Sequence, residues 1–470
     1  MTLSKIFKAY DVRAIYPDPL NEAAAWKVGC ATGQYLKQHV EDAEGDLASL
    51  TLPHTVVMSR DMRPHSESLS KAFIEGVLAS GMNVIDVGMC DTSFIYFAIN
   101  HLNAAGGVQV TASHNPINYN GFKISGPYAK PIGATTGLKV IEAIAEKIDD
   151  PDSFDGKGAY EERDLWEPYR EHVLKFYTPP KGGRVLKVAV DAAGGMGGKL
   201  VPKVFSNLPG LQIIPINMEI TGTFAHDPNP LVPANMKPTQ DAVLKGKADM
   251  GASFDGDADR CILCDEKGEV IGCDHLTALL VDHFTKDEKG ATVVYDLRSS
   301  KALEEAITKA GAWPKKGRVG HVFMKATLRE TKGVFGGELS GHFYFRDSFY
   351  TDSGAIAFAA ILSVLGQSDK PLSEMVAPFK KYPQSGEINF RTEDKDAVLA
   401  ELEKKYADAA IDKLDGVSID DWSKKGWWFN VRASNTEPLL RLNAEAKDRA
   451  TLAGLMKEIK PMLGTEDHGH

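Results

Sequence analysis

The sequence predicts an α/β protein: three similar mixed α/β domains followed by a smaller C-terminal α+β domain. Three observations lead there. The chain has 470 residues, room for three or four domains at about 150 residues each. Three stretches repeat one order of elements, a buried strand, a helix or glycine-rich turn with helix, and a second strand, although their residues are barely alike. Beyond Lys370-Pro371 the texture changes to a helix rich in Lys, Glu, Asp and Ala, with strands before and after it.

In the first repeat Thr55-Val-Val-Met58 reads as a buried strand, Ser66 to Ser80 as an amphipathic helix closed by Gly81, and Val84-Ile-Asp-Val87 as the next strand. The second runs from Leu186-Lys-Val-Ala-Val190 through the turn Gly194-Gly-Met-Gly-Gly198 and a helix to about Leu208, then Leu211 to Ile216. The third has a strand at Ala291 to Tyr295, a helix at Ser299 to Ala310 closed by Gly311, and a strand around Val319. In the last domain Gly386 to Phe390, Trp427 to Ala433 and Leu439 to Ala446 read as strands, Lys395 to Tyr406 and Thr451 to Leu463 as helices. Linkers are expected at Asp149 to Lys157 and Gly366 to Pro371, with domains at 1–153, 154–260, 261–369 and 370–470.

Composition removes whole classes of function. With 43% hydrophobic and 25% charged residues, the chain is neither disordered, collagen-like nor a membrane protein. The apolar run Ala355 to Leu365 is too short to span a bilayer and reads as a buried helix. Lys5, Lys8, Asp11, Arg13 and Asp18 leave no apolar signal core near the start, so a cytoplasmic protein whose five cysteines stay thiols is expected. A net charge of −10 argues against a general nucleic-acid binder, which needs a basic face. Anionic ligands then require local positive pockets.

The strongest chemical signal is Asp255-Gly-Asp-Ala-Asp259-Arg260 after the strand-like Met250 to Phe254. Carboxylates brought to about 4 Å repel by roughly 4 kcal/mol per pair at an effective dielectric near 20, so a cation belongs among them. With only oxygen ligands, a hard divalent ion fits. An EF-hand is excluded, since Arg260 stands where that loop turns on glycine and Lys267-Gly268 makes a hairpin turn. A second signal is Thr111-Ala-Ser-His-Asn-Pro116, after the strand Gly107 to Val110 and before Lys123. Ser113 on such a loop, with His114 beside it, suits a phosphorylated nucleophile with acid/base help, or else a capped Asn-Pro turn.

Weaker motifs offer clamps for anions and hydroxyls. Arg432-Ala-Ser434-Asn435-Thr436 has the ingredients of a phosphate nest. Glu338, Ser340 and His342 lie in the glycine-rich Gly336 to His342, suited to sugar hydroxyls, and Phe7 to Arg13 can bring Tyr10 and Arg13 to one pocket. Two patterns mislead. Ala193 to Leu200 departs from a P-loop at its first glycine and at its hydroxyl residue, and Cys261-Ile-Leu-Cys264 lacks a second pair for zinc.

These motifs, in this order from Tyr10 to Glu445, resemble the α-D-phosphohexomutase superfamily, most closely its phosphomannomutase/phosphoglucomutase branch. The resemblance implies four domains around a central cleft. It implies a phosphoserine at Ser113, magnesium on Asp255, Asp257, Asp259 and the phosphoryl group of Ser113, and a sugar loop of Glu338, Ser340 and His342. Arg432, Ser434, Asn435 and Thr436 would hold the phosphate that does not react, while Tyr10, Arg13, Lys123, Arg260 and His321 would surround the reacting centre; Arg298 stands where many relatives have lysine. Ala14 and Leu339 depart from common family residues without removing a needed charge.

The implied activity interconverts hexose 1-phosphate and hexose 6-phosphate, glucose or mannose, with Mg2+ and glucose 1,6-bisphosphate as intermediate and activator. Lys123 or His114 would shuttle the proton. Phosphosugars are the expected partners, with no nucleic acid and no membrane, for a monomer or weak oligomer. The alternatives are a phosphoglucosamine mutase, a magnesium-dependent sugar phosphatase acting through Ser113, and a calcium-binding protein.

Overall fold

Strand Leu52–Arg60 is buried along most of its length, and its centre carries parallel neighbours on both sides, Asn83–Met89 and Ala104–Val110. The structure, a computed structural model, describes residues 3–42, 47, 49–433 and 439–467. They form two units, Met1–Ile271 with Ser340–Ser373, and Gly272–Leu339 with Glu374–His470.

The first unit holds two sheets. One runs Val12–Ile15, Tyr119–Ser125, Ala104–Val110, Leu52–Arg60, Asn83–Met89, Tyr160–Glu162. Helices Glu22–Glu41 and Ser66–Ala79 pack so closely that a Cβ on Gly29 would fall 2.1 Å from the Phe73 carbonyl oxygen. Their apolar faces join Val56, Met58 and Phe122 around the fully buried Phe73; truncating Phe73 to alanine would cost about 3–5 kcal/mol. The segment 149–157, where a linker is expected, touches this layer at Gly156, where a Cβ would meet the Ala79 carbonyl oxygen at 2.1 Å.

The other sheet runs Cys261–Asp265, Met250–Phe254, Leu186–Asp191, Leu211–Ile216. Its first two strands form an antiparallel hairpin joined by the acidic loop 255–260, and the chain turns back after Asp265 through Gly268 at φ +77°, so the acidic loop is flanked by strands, as the rejection of an EF-hand requires. Helix Gly197–Phe205 stops short of Leu208 because Asn207 turns to φ +60° ahead of Pro209-Gly210. The apolar run 355–365 lies in helix Gly354–Gly366, buried among Phe205 and Phe254 through Phe358. Among the described residues no helix is long and apolar enough to cross a membrane. All five cysteines are buried thiols.

In the second unit Trp313–Gly317, Thr292–Asp296 and Phe335–Gly337 are parallel neighbours. The strand expected around Val319 is thus Trp313–Gly317, and Val319 lies beyond its end. Trp-Pro-Lys-Lys hid it: an edge strand tolerates a proline and lysines that a central one would not. The C-terminal sheet is six-stranded and antiparallel, in the order Ala410–Asp412, Val417–Asp420, Trp427–Ala433, Leu439–Ala446, Ile388–Arg391, Thr465–Asp467. Leu402, Leu455, Ile459 and Leu463 of helices Lys395–Lys405 and Arg449–Leu463 cover it, capped by Asp394 and Asp448. The fold class is as the sequence predicts, three mixed α/β domains and a sheet-rich C-terminal one.

Candidate active site

The buried strand Ala104–Val110 delivers the chain to Thr111, whose Oγ1 donates to Asp61 Oδ2 at 2.7 Å and accepts the Ser113 N–H at 2.9 Å. Ser113 takes φ +51°, a left-handed conformation that a residue with a Cβ adopts only when its surroundings impose it. Its Oγ then lies 3.1 Å from Asp255 Oδ2 and 3.4 Å from His114 Nδ1. Arg260 beside His114, together with burial and Arg13, pushes that imidazole well below its ordinary pKa.

Asp255, Asp257 and Asp259 follow strand Met250–Phe254, all buried, and each offers an oxygen within 4.8 Å of those of the others. Gly256 lets this loop reach the serine, since a Cβ there would fall 2.4 Å from the Ser113 carbonyl oxygen. Lys123, from strand Tyr119–Ser125, places Nζ 2.7 Å from Oδ2 of both Asp257 and Asp259. Burial alone would lower its pKa; the two carboxylates outweigh that and keep it an ammonium. Thr92 Oγ1 also donates to Asp257 Oδ2, at 2.6 Å. Arg260 Nε donates to Asp255 Oδ2 at 2.8 Å.

The remaining atoms point to missing ligands. Among the described residues Oδ1 of Asp257 is buried without a hydrogen-bond donor, Oδ1 of Asp259 has only His342 Nε2 at 3.5 Å, and Arg260 Nη2 is buried without an acceptor. With these protein groups alone, burial pushes the Asp255 carboxyl up to about 7. Asp259 goes the other way: burial would raise it, but Lys123, His342 and Arg260 hold it well below the usual range. Buried carboxylate oxygens so poorly supplied with donors, beside a third carboxylate, fit a hard divalent cation, and a guanidinium nitrogen with nothing to bind fits an anion next to it.

Of the other candidates in this unit, Arg13 donates to Asn115 Oδ1 at 2.8 Å, in the serine loop, and pairs with Asp11. Tyr10 is half-buried in the bend before strand Val12–Ile15. His342 Nδ1 meets Ser340 Oγ at 2.8 Å, while Nε2 lies 3.5 Å from Asp259 Oδ1 and 3.7 Å from Asp352 Oδ2. His342 thus adjoins the acidic loop.

The second unit carries Arg298, His321, Glu338 and Arg432. Glu338 Oε1 accepts the Gly320 N–H at 2.8 Å, at the start of the helix His321–Glu330. Arg298 is buried and bound by Asp296 at 2.8 Å and Glu387 at 3.0 Å. Glu387 also takes Arg432 at 2.7 Å and Arg441 at 3.2 Å. Burial would raise the Glu387 carboxyl, but these three guanidiniums hold it well below its ordinary pKa. Ser434, Asn435 and Thr436 lie outside the described residues.

Asp61, Arg63 and Thr92, which bond the serine loop and Asp257, and Glu387, which holds Arg432, escape the sequence. Arg60-Asp-Met-Arg63, a charged cluster at the end of a buried strand, is the signal that pointed to two of them.

Comparisons with known proteins agree on the class. The descriptions "Phosphoglucomutase/phosphomannomutase, alpha/beta/alpha domain" I, II and III match residues 4–152, 167–268 and 273–382, and the C-terminal domain of that family matches 387–462. The Salmonella montevideo phosphomannomutase is 38% identical over 469 residues, covering 98% of this chain and 99% of its own. Phosphohexose mutases of Xanthomonas campestris pv. campestris are 38% identical over 462 residues, 97% of this chain and 98% of theirs. A crystal structure of a phosphoglucomutase/phosphomannomutase family protein from Burkholderia thailandensis superposes with a TM-score of 0.86 at 28% identity, over 98% of both chains. The fold and these relatives define a phosphomutase, an isomerase of carbohydrate metabolism. The chain belongs to the phosphoglucomutase/phosphomannomutase family.

Proposed function

We propose that the protein interconverts hexose 1-phosphates and hexose 6-phosphates of both glucose and mannose, through a phosphoserine at Ser113 and a hexose 1,6-bisphosphate. The observation that carries this reading is the hydroxyl of Ser113 at 3.1 Å from Asp255, facing three buried carboxylates and the acceptorless Nη2 of Arg260. Phospho-Ser113 gives its phosphoryl group to the 6-hydroxyl of a hexose 1-phosphate, whose proton passes by way of the pocket to the departing Ser113 Oγ. The bisphosphate turns over, Ser113 Oγ takes the 1-phosphoryl group, and a proton returns to the sugar O1. Lys123 or His114 is the proton shuttle, and Lys123, kept as an ammonium by Asp257 and Asp259, also neutralises charge.

A phosphoserine of about −2 beside three carboxylates totals about −5. Asp255, Asp257 and Asp259 would hold Mg2+, which supplies charge neutralisation for the transferring phosphoryl group when bound. Arg260 and Lys123 bring two further positive charges. In the second unit, Arg432 is assigned to the phosphate that does not react, and Glu338 to the sugar. Phosphosugars are then the partners, and glucose 1,6-bisphosphate the activator.

A site that receives its sugar in two opposite orientations reads groups that exchange places on the flip, the 3- and 4-hydroxyls. The 2-hydroxyl, where glucose and mannose differ, has no such equivalent. We therefore expect glucose 1-phosphate and mannose 1-phosphate to react with similar kcat/KM, and galactose 1-phosphate, inverted at C4, to lose about 1–3 kcal/mol through an unpaired polar group. The assay compares the three with magnesium and a bisphosphate activator. Mannose 1-phosphate rejected as strongly as galactose 1-phosphate would leave a dedicated phosphoglucomutase, and steady release of inorganic phosphate a phosphatase.

A further inference from the structure

We propose that Arg63 is the positioning residue for the nucleophile: with Asp61 it clamps the serine loop in the left-handed turn that aims Ser113 Oγ at the acidic loop. This rests on reading Ser113 as the phosphoryl carrier.

The Arg63 side chain is completely enclosed, and each of its guanidinium donors is used. Nη2 donates to the carbonyl oxygens of Ser113 at 2.9 Å and Asn115 at 2.7 Å, Nη1 to those of Pro116 at 2.6 Å and Tyr119 at 3.0 Å, and Nε to Asp61 Oδ2 at 3.1 Å. Five N–H groups meet five acceptors, three of them on the serine loop and a fourth on Tyr119 where the next strand begins, so none is left for a substrate.

Asp61 closes the other side. Its Oδ2 accepts Thr111 Oγ1, which in turn accepts the Ser113 N–H. The amide and the carbonyl of Ser113 are therefore both held from the Asp61–Arg63 pair, one through Thr111 and one directly. That grip explains how a residue with a side chain keeps φ +51°.

The clamp also sets the gap to the acidic loop. The Arg63 guanidinium lies 5.1 Å from the centroid of the Phe224 ring, and that ring stands against Gly256, where a Cβ would fall 3.1 Å from Phe224 Cζ. The Ser113 carbonyl held by Arg63 faces the same glycine. A shift of the guanidinium is transmitted to both loops at the point where they touch.

The test uses the full chain with Arg63→Lys, which keeps a charge beside Asp61 but brings three donors where five are needed. Ser113 is loaded with phosphate from glucose 1,6-bisphosphate, and the phosphoserine resonance is recorded by 31P NMR alongside steady-state kinetics. We expect kcat to fall about 100-fold, as for a nucleophile displaced by about 1 Å. KM for the hexose 1-phosphate should stay within about threefold, and the resonance should shift or broaden. A kcat within about threefold of the parent, or a reduced kcat with an unmoved resonance, would overturn the clamp. Thr111→Val, which cuts the other arm at nearly constant volume, is judged by the same two readouts and decides the question if Arg63→Lys does not fold. Ser113→Ala separates the two readings. An inactive Ser113→Ala with a normal Arg63→Lys sinks the clamp alone, whereas an active Ser113→Ala without phosphoserine sinks the nucleophile assignment as well.

Discussion

The hydroxyl of Ser113 and Oδ2 of Asp255 stand 3.1 Å apart, joined by the one proton that the serine can donate. A phosphate on that oxygen removes the proton and sets about two negative charges against a carboxylate. Stripping divalent metal with a chelator should therefore lower the melting temperature of the phosphorylated protein more than that of Ser113→Ala. Equal losses in paired thermal scans would mean that metal and phosphate do not share this site.

Asp257→Asn should cut kcat by about 100-fold or more while leaving the melting temperature nearly unchanged. Its Oδ2 accepts Thr92 and Lys123, bonds that an amide oxygen can keep, while the Oδ1 that has no donor is the atom given up as an anion. Kinetics and calorimetry on one preparation decide it. A large loss of melting temperature with normal turnover would make Asp257 structural.

Arg432→Ala should act mainly on KM, since the phosphate assigned to it is bound alike before and during transfer. A charge-assisted contact is worth about 1.5–3 kcal/mol, so KM should rise about 10- to 100-fold. Because Glu387 pins the same guanidinium at 2.7 Å, Glu387→Gln should weaken binding less than Arg432→Ala and in the same direction. Unchanged KM with collapsed turnover would place Arg432 at the reacting phosphate.

Glu445, in the second unit, provides a stability test. Its carboxylate accepts the Ser300 hydroxyl, the Lys301 N–H at 2.8 Å and the Trp428 indole N–H at 2.8 Å, yet burial still pushes its pKa up to about 7 from the ordinary 4.5. Between those values the folded protein keeps a proton that the unfolded chain has released. Its contribution to stability is thus greatest below about 4.5 and is lost as pH rises towards 7. Glu445→Gln, whose amide can serve all three partners, should be relatively more stable at pH about 8 than at pH about 5. Melting curves of both proteins across that range check the sign; a difference that does not vary with pH would refute it.

What could be read from the sequence follows the distance between partners. The three aspartates of the acidic loop are near neighbours in the chain, and Trp427–Ala433 and Leu439–Ala446 show themselves by local alternation and apolar content. Arg63, Thr92 and Glu387 matter through partners 50, 165 and 45 residues away, and no window of sequence contains both ends of those bonds. The strand Trp313–Gly317 escaped for a different reason, since an edge position excuses the proline that argues against a strand.

Arg63 also constrains the order in which the chain can assemble. The carbonyls of 113–119 lie some 50 residues downstream of the guanidinium that satisfies them, so a nascent chain still short of Tyr119 has no way to shape the loop around its serine. The turn depends on strand Leu52–Arg60 lying beside strand Ala104–Val110, the pairing that brings Arg63 to the loop. The turn at Ser113 is therefore a product of that strand pairing and not of its own few residues.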